Sequence, residues 1–498
     1  MSRLPLPEYD TWDATEMAAR VRAGDVSPDE LLLAALARAE ARNPALNAIV
    51  TPLWERARGR SASLPDGPMR GVPMLLKDLK LQLEGTITTD STLLRAHRVA
   101  TRSSVLAQRY EAAGVQVVGK TNTPELGIMG ITEPRSRGPA RNPWNTDHTP
   151  GGSSGGSASA VAARIVPVAH AGDGGGSIRI PAAHCGLVGL KPTRGRVTMA
   201  PFIGESWCGF VQEHVVCRSV RDSAAFLDIA DVPTPGEPYV APPRQRPFAA
   251  EVGADPGRLR VAVHRGTLFA GEADAEVVAA VEQTATLLRQ LGHEVVDDVP
   301  TFPRAELVHA YFVVVAAGVG RMVEEIAAEA GRKPRAADFE PATWLLATIG
   351  RSASAADLIG ARWTIERAAR EVAAFFERFD VLCLATAARP PARVGELAPT
   401  SLEDAQARLV AAAPIPALLE LALSRMAEGK LAATPNTQLF NQTGQPSVSL
   451  PLGVSRGGLP IGVQFAGRFG DEATLFRLAA QLEAAAPWEG RKPALVED

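Results

Sequence analysis

Two glycine-dense loops constrain this chain more than any other feature of its sequence. They are residues 150–157 (PGGSSGGS) and 172–179 (GDGGGSIR), and segment 158–171 between them has the pattern of one helix and one strand. Glycine loses more backbone entropy on ordering than other residues, so such clusters need a reason. Close approach of the backbone to a bound group, with N–H donors turned inward, supplies one. Because both loops carry serines, we expect a serine-based acyl-transfer site with an oxyanion hole, and hence a hydrolase.

Composition and charge argue against several classes of partner. The 498 residues are 46% hydrophobic, enough to bury a large core. The net charge is −3 with both signs interspersed, which favours neither nucleic acid nor an anionic membrane. No uninterrupted apolar run approaches bilayer-spanning length, and the N-terminus has no apolar signal region. We therefore expect a cytoplasmic protein that takes a small-molecule substrate.

The cysteines point to a reducing compartment rather than to a metal or a disulfide. The four of them, Cys185, Cys208, Cys217 and Cys383, are scattered and form no C-x-x-C pair. We expect free, buried thiols, no metal and no cofactor. The chemistry of the site must then come from side chains and backbone.

Alternating strand and helix patterns predict a single large α/β domain. An apolar run at 71–76 leads into Lys77 and predicts a buried strand with the lysine at its end. Capping boxes predict helices after Asp13 and Ser27. Segment 188–197 is expected to be a loop, and the proline-rich segment 232–256 a surface excursion without regular structure. Further helices are expected at about 103–113, 178–183, 221–230, 274–291 and 471–484, and further strands at 115–118, 259–264, 381–385, 447–454 and 462–466.

The phosphate-loop pattern at 114–121 (GVQVVGKT) is a false match. The pattern needs its four middle residues to form a flexible loop between a strand and a helix. Here those residues are Val-Gln-Val-Val, which predict a strand, and a helix precedes them. We interpret Lys120 as structural and reject nucleotide binding.

The nucleophile-elbow pattern at 151–155 (GGSSG) also lacks its context. An α/β-hydrolase elbow follows a strand directly, whereas 145–150 (NTDHTP) is a loop. The last histidine of the chain is His309, so the C-terminal region offers none for a Ser-His-Asp triad. A Ser-His-Asp hydrolase using Ser153 remains the weaker alternative.

Taken together, the motifs resemble those of the amidase signature family. The matching segments are 71–78 (GVPMLLKD), 119–122 (GKTN), 151–157 (GGSSGGS), 174–179 (GGGSIR), 186–193 (GLVGLKPT) and 458–464 (GLPIGVQ). The resemblance implies one domain with a mixed, twisted central β-sheet covered on both faces by helices. On that basis we divide the chain into an N-terminal helical segment (1–60), a catalytic core (69–230), a segment of pocket-lining helices (231–433) and C-terminal strands with a helix (434–498).

The resemblance also implies the catalytic roles. Ser177 would be the nucleophile, Ser153 a bridging serine preceded by a cis peptide bond, and Lys77 the ultimate base. A serine hydroxyl needs a base within hydrogen-bond reach, and a lysine can be that base only when burial lowers its pKa from about 10.4. The apolar run before Lys77 would provide such burial.

The glycines beside the nucleophile supply the expected oxyanion hole. Its donors would be the N–H groups of Gly174, Gly175, Gly176 and Ser177. Many family members have a bulkier residue at the position of Gly174, so we expect this extra glycine to widen the site.

Supporting residues are expected around these groups. Asp173 and Arg179 should pair or hydrogen-bond to shape the second loop. Ser154 is expected beside Ser153 and is the weaker alternative for the bridging serine. We interpret His170, His184, Lys191 and Arg194 as structural.

The substrate is less sharply predicted than the reaction. The tRNA-dependent amidotransferase A subunits of this family, which work with a partner chain, usually have glutamine where this chain has Ile180. They also have Tyr-Gly where it has Arg194-Gly195. We therefore favour a free-standing amidase, monomer or homodimer, over that alternative. Segments 142–145 (NPWN), 169–170 and 192–197 are similar to the bacterial enzymes that open the cyclic dimer of 6-aminohexanoate. Because 300–440 is apolar, we expect small neutral or aryl amides as substrates, with esters and carbamates open to the same route.

Overall fold

The predicted sheet forms in the computed structural model, which describes residues 4–497. Within those residues the strands number eleven and join in one sheet. They are β1 (Ile49–Pro52), β2 (Pro73–Lys77), β3 (Gln116–Thr121), β4 (Val168–Asp173), β5 (Val188–Lys191), β6 (Gln212–Cys217), β7 (Arg260–His264), β8 (Glu294–Asp297), β9 (Val381–Ala385), β10 (Ser447–Val454) and β11 (Pro460–Gly467).

The sheet is mixed, as the family resemblance implies. Its strand order is β1-β3-β2-β4-β6-β5-β10-β11-β9-β7-β8. Strand β2 pairs in parallel with β3 and β4, and β7 pairs in parallel with β8 and β9. The central pairs β4–β6, β6–β5, β5–β10 and β10–β11 are antiparallel. The two glycine loops flank β4, so the candidate site lies on the half of the sheet that contains β2 and β4.

Helices connect the strands along the chain. They are α1 (Ala14–Ala23), α2 (Pro28–Leu46), α3 (Trp54–Ser61), α4 (Val105–Ala112), α5 (Gly155–Ala162), α6 (Arg179–Cys185), α7 (Val220–Ala230), α8 (Ala275–Gln290), α9 (Arg304–Glu329), α10 (Pro341–Ser352), α11 (Ala355–Arg378), α12 (Ser401–Ala412), α13 (Pro416–Ala433), α14 (Gln438–Thr443), α15 (Glu472–Ala485) and α16 (Ala494–Glu497). The expected helices and strands outside segment 188–197 are confirmed, with ends that differ by a few residues.

Side chains of the strands alternate between two faces, and each face has its own core. On β2, Met74 and Leu76 join one large cluster, while Leu75 joins a second cluster on the opposite face. The same division separates Val215 from Val216 on β6. Successive side chains on a strand point to opposite faces, so Lys77 lies on the face of Leu75. Helix α5, which starts at the end of the first glycine loop, packs on that face through Val161 and its neighbours.

Segment 188–197 was expected to be a loop, and that expectation is wrong for its first residues. Residues Val188–Lys191 form β5, which pairs with β6 on one side and β10 on the other. Four residues with a glycine among them carry a weak strand pattern, and only the two neighbouring strands specify it. Segment 232–256 does lie outside the sheet and has a single short helical turn, Phe248–Ala250.

Helix α9 is long and apolar enough to span a bilayer by length and composition, contrary to the expectation that no apolar run approaches that length. It is the one such helix within residues 4–497. Of its apolar stretch, 56% is buried, and its side chains join those of α10 and α11 in one core cluster. Core helices of soluble proteins have the same character.

Candidate active site

Lys77 is the last residue of β2, and its side chain is fully buried. Its Nζ donates hydrogen bonds to Ser153 Oγ at 2.7 Å and to the backbone oxygen of Gly172 at 3.2 Å. Burial lowers the pKa of this amine to about 7, while the charges of Glu213 and Asp173 oppose the shift. An amine with such a pKa is partly deprotonated at neutral pH, so it can accept a proton.

Ser153 and Ser154 lie in the first glycine loop, directly before the start of α5. The peptide bond between Gly152 and Ser153 is cis, in agreement with the family resemblance. Ser153 is 1% exposed, so its hydroxyl is available only inside the protein. The Ser154 hydroxyl donates to Gly172 O at 3.4 Å, the same carbonyl that accepts from Lys77. The carbonyl of Gly172 therefore orients both neighbours of Ser153.

The surroundings of Ser153 do not fit a Ser-His-Asp triad. In the described part of the chain, its hydroxyl is hydrogen-bonded to a lysine and to no histidine. The alternative that used Ser153 as the nucleophile of such a triad is therefore wrong.

Ser177 stands apart from this buried pair. It is half-buried, two residues before the start of α6. Across residues 4–497 its hydroxyl has no hydrogen-bond partner, so Ser153 and Ser177 are not hydrogen-bonded to each other here. The structure thus joins Lys77 to Ser153 and leaves the hydroxyl of Ser177 unengaged.

Asp173 and Arg179 form a buried ion pair that shapes the second loop, as expected. The guanidinium donates to both carboxylate oxygens at 2.9 Å. The same carboxylate accepts the backbone N–H of Gly176 at 2.6 Å and that of Ile178 at 3.2 Å. Burial acts to raise the pKa of Asp173, but Arg179 and Asn441 outweigh it and hold the pKa well below its usual range. The charged pair therefore fixes the backbone on both sides of Ser177.

Arg179 also ties the loop to the C-terminal part of the chain. It donates to Asn441 Oδ1 at 2.6 Å, Gln464 Oε1 at 2.8 Å and Ser447 Oγ at 3.0 Å. These partners come from α14, β11 and β10. They carry no local sequence signal as site residues, although Gln464 ends the matching segment 458–464.

Two side chains hold the carbonyl groups of the loop. Tyr311 Oη donates to Gly174 O at 3.4 Å, and Thr437 Oγ1 donates to Gly175 O at 2.6 Å. In a trans peptide the N–H points opposite to its carbonyl, so the N–H of Gly175 points away from Tyr311. The N–H of Gly176, by the same geometry, points away from Thr437 and is engaged by the carboxylate described above.

The glycines of the second loop make room for protein side chains. A Cβ on Gly174 would lie 2.7 Å from the Trp207 indole, and one on Gly175 would lie 2.2 Å from Tyr311 Oη. The expectation that Gly174 widens the site is therefore wrong, because Trp207 occupies the space. Close backbone approach does explain these glycines, but the approaching groups belong to the protein.

Aromatic residues cluster beside the loop. Phe210 and Tyr311 are stacked with ring centroids 5.6 Å apart and planes 3° from parallel. Trp207 adopts a left-handed backbone conformation, φ 52°, and its ring lies against Gly174 and Gly318. The apolar character of 300–440 is visible in the sequence, but no local pattern assigns Trp207 or Phe210 to the site.

The remaining polar candidates lie in the interior. His170 and His184 are buried, and burial lowers the pKa of His184 to about 4. Lys191 donates to Pro192 O, and Arg194 donates to carbonyl groups of α14. Among the described residues no cluster of histidine, cysteine, aspartate and glutamate side chains could hold a metal ion.

Three comparisons place this geometry among known proteins. Residues 30–476 match the profile of the family described as Amidase. The chain is 38% identical over 499 residues to the 6-aminohexanoate-cyclic-dimer hydrolase of Pseudomonas sp. (strain NK87), covering 99% of this chain and 98% of that protein. A solved structure of 6-aminohexanoate cyclic dimer hydrolase complexed with substrate superposes with a TM-score of 0.87 at 38% identity, over 98% of this chain and 99% of that one. A bacterial aryl acylamidase superposes with a TM-score of 0.83 at 25% identity, over 96% of this chain and 99% of that one.

Proposed function

The chain belongs to the amidase family and is an amide hydrolase; we propose that it works through an acyl-enzyme on Ser177, with Lys77 as the base and Ser153 as the relay between them. One observation carries this proposal. A buried amine, whose pKa burial lowers to about 7, is hydrogen-bonded to a buried serine at the edge of the glycine loops. A structural lysine would gain more from a carboxylate partner than from a hydroxyl.

The steps follow from the ordering of these groups. Neutral Lys77 takes the proton of the Ser153 hydroxyl while Ser153 takes that of Ser177. Ser177 Oγ then bonds to the carbonyl carbon of the amide. As the tetrahedral species collapses, the C–N bond breaks and the leaving nitrogen receives the proton back through Ser153. Water, deprotonated by the same relay, then hydrolyses the acyl ester and frees Ser177.

Ser177 must meet Ser153 for the relay to work. The two hydroxyl groups are not hydrogen-bonded to each other, and catalytic hydrogen bonds commonly tighten only when the substrate binds. A rotation of the Ser177 side chain about one bond is the smallest change that would join them.

The backbone of the second loop would stabilise the oxyanion. Because Asp173 already accepts the N–H of Gly176, the N–H groups of Gly174, Gly175 and Ser177 remain as the proposed donors. Loss of one such donor costs about 10²–10³ in kcat in a well-studied serine hydrolase.

We also propose that the substrates are small neutral amides with apolar or aryl groups. The stacked Phe210–Tyr311 pair and the Trp207 ring beside the loop support this preference. The cyclic amide named for one relative and the aryl amide named for another fit the same description. Esters and carbamates would follow the same acyl-enzyme route.

Hydrolysis rates on matched substrates test this function. The purified chain would be assayed on anilides, short linear amides, the cyclic dimer of 6-aminohexanoate and charged analogues of each, with Ser177→Ala as the inactive control. We expect turnover of the neutral members by the chain alone. Faster turnover of the charged analogues than of the neutral amides would contradict the proposed substrate class. Equal turnover by Ser177→Ala and the parent protein would contradict the mechanism.

A further inference from the structure

A carboxylate lies against the back of the strand that carries Gly172. In the antiparallel pairing of β4 with β6, Gly172 is opposite Glu213 and His170 is opposite Val215. Val215 belongs to the core cluster on the face opposite to Leu75, and side chains alternate along a strand. Glu213 and His170 therefore lie on the face of the sheet that is opposite to the Lys77 side chain.

Glu213 is buried against Gly172 in this position. It is 7% exposed, and its Oε2 lies 2.5 Å from where a Cβ on Gly172 would be. Only glycine at 172 allows this approach. The same oxygen is 2.9 Å from His170 Nε2, an ion-pair distance, although the two groups are not aligned as a directed hydrogen bond.

Lys77 meets the same glycine from the other face. Its Nζ donates to Gly172 O at 3.2 Å, so one residue without a side chain separates the buried amine from the buried carboxylate. Among the described residues, Glu213 has no lysine or arginine within salt-bridge distance. Glu213 therefore forms no direct ion pair with an ammonium or guanidinium group, and a low-dielectric interior screens its charge weakly.

We propose that Glu213 is a positioning residue for the reaction: through Gly172, its carboxylate stabilises the Lys77 ammonium that forms when the relay delivers a proton. This inference rests on the proposed function, since it assigns a role to a residue behind the base of that mechanism. Within residues 4–497, Glu213 is not hydrogen-bonded to Ser153 or Ser177. Its effect is on the proton affinity of Lys77, which Glu213 raises more than any other acid does.

Other titratable groups lie near Lys77 and Glu213 on the elements packed against them. Lys80 follows β2 and favours the neutral form of Lys77, whereas Asp173 on β4 favours the charged form. The Asp173 charge is already committed to Arg179. On the Glu213 side the titratable groups are His170 and the Tyr110 hydroxyl of α4, and His214 is the next residue on β6. Burial keeps Tyr110 and His214 uncharged at neutral pH, raising the pKa of the first and lowering that of the second to about 3.

The test is the pH dependence of Glu213→Gln, which removes the charge and keeps the shape. The rate of Ser177 labelling by a phosphonofluoridate and kcat/KM on a nitroanilide would be measured across pH for the variant and the parent. We expect the acid limb of both profiles to move to lower pH by about 1 unit, with KM unchanged. Glu294→Gln, which removes an exposed carboxylate from β8 at the far edge of the sheet, is the matched control and should leave the limb in place.

The outcomes separate this inference from the proposed function. A limb that stays in place in a folded Glu213→Gln protein, or moves to higher pH, would overturn the role of Glu213. Should Glu213→Gln fold poorly, Glu213→Asp is the second variant, because it keeps the charge. The acid limb of its pH profile should stay close to that of the parent protein. A shift as large as the one expected for Glu213→Gln would count against the role of Glu213. If Ser177→Ala kept its turnover, the proposed function would fail whatever Glu213 does.

Discussion

Lys77 and Ser153 are joined by a 2.7 Å hydrogen bond between two side chains that are each 1% exposed. Both groups are cut off from bulk water, so the protonation state of the amine decides whether the hydroxyl can lose its proton. Since burial brings the pKa of Lys77 to about 7, the protein is poised between two states at neutral pH.

Activity should therefore rise with pH through neutrality. Below the pKa of about 7 the amine is charged and cannot accept a proton, so kcat/KM should fall about tenfold for each pH unit on the acid side. A pH–rate profile with a neutral anilide measures this limb directly. A profile that stays flat through the neutral range would show that no such amine controls the rate.

Removing the buried amine should stabilise the protein while it abolishes turnover. The folded-state pKa of Lys77 is depressed below its ordinary value of 10.5, so the folded protein binds fewer protons between about pH 7 and that value. Stability from this residue therefore rises with pH across that window and is lowest below about pH 7. We expect Lys77→Met to gain about 1–3 kcal/mol in unfolding free energy below pH 7 and less at higher pH.

Urea unfolding of Lys77→Met and the parent protein at two pH values measures the difference. Equal stability differences at both pH values would contradict the account. A gain in unfolding free energy from Lys77→Met that is smaller below pH 7 than above it would also contradict the account.

Arg179 should be essential to stability as well as to activity. Replacing it by alanine leaves the fully buried Asp173 carboxylate without its ion pair, which costs about 3–5 kcal/mol, and frees the backbone beside Ser177. Arg321→Ala breaks the exposed pair with Glu325 on α9 and should cost no more than about 1 kcal/mol. Denaturant unfolding compares the two variants. Similar losses in both would mean that the buried pair does not organise the loop.

Gly174→Ala should damage the site through Trp207. The added methyl group would lie 2.7 Å from the indole, so the loop or the ring must move, and we expect a marked loss of kcat. Adding Trp207→Leu to the same chain removes the obstacle and should restore part of the rate. Gly360→Ala in α11, where nothing lies within 4 Å, is the control and should be neutral or slightly stabilising. Full activity of Gly174→Ala alone would contradict the packing argument.

The sequence predicts the candidate catalytic groups better than the residues that hold them. An apolar run that ends in Lys77 predicts a buried amine because strand burial follows from composition. The serines are predicted because glycine clusters are rare without a local reason. Both signals lie within a few neighbouring residues, and the structure bears out the burial of Lys77 and its contact with Ser153.

The supporting groups carry no comparable local signal. Glu213 lies on β6, a strand with three polar residues in six, and it meets Gly172 only through strand pairing. Asn441 and Gln464, which accept hydrogen bonds from Arg179, lie about two hundred and sixty residues or more further along the chain, so only the fold brings them together. Tertiary contact decides these positions, as it decides that Gly174 accommodates Trp207 rather than a substrate.

The identity of the nucleophile is the claim on which the mechanism depends, and covalent labelling tests it most directly. The protein would be treated with a phosphonofluoridate, digested, and its peptides examined by mass spectrometry. The account predicts a single adduct on Ser177, formed more slowly as pH falls below the pKa of Lys77 and absent from Ser177→Ala. An adduct on Ser153, or complete inactivation with Ser177 unmodified, would contradict it.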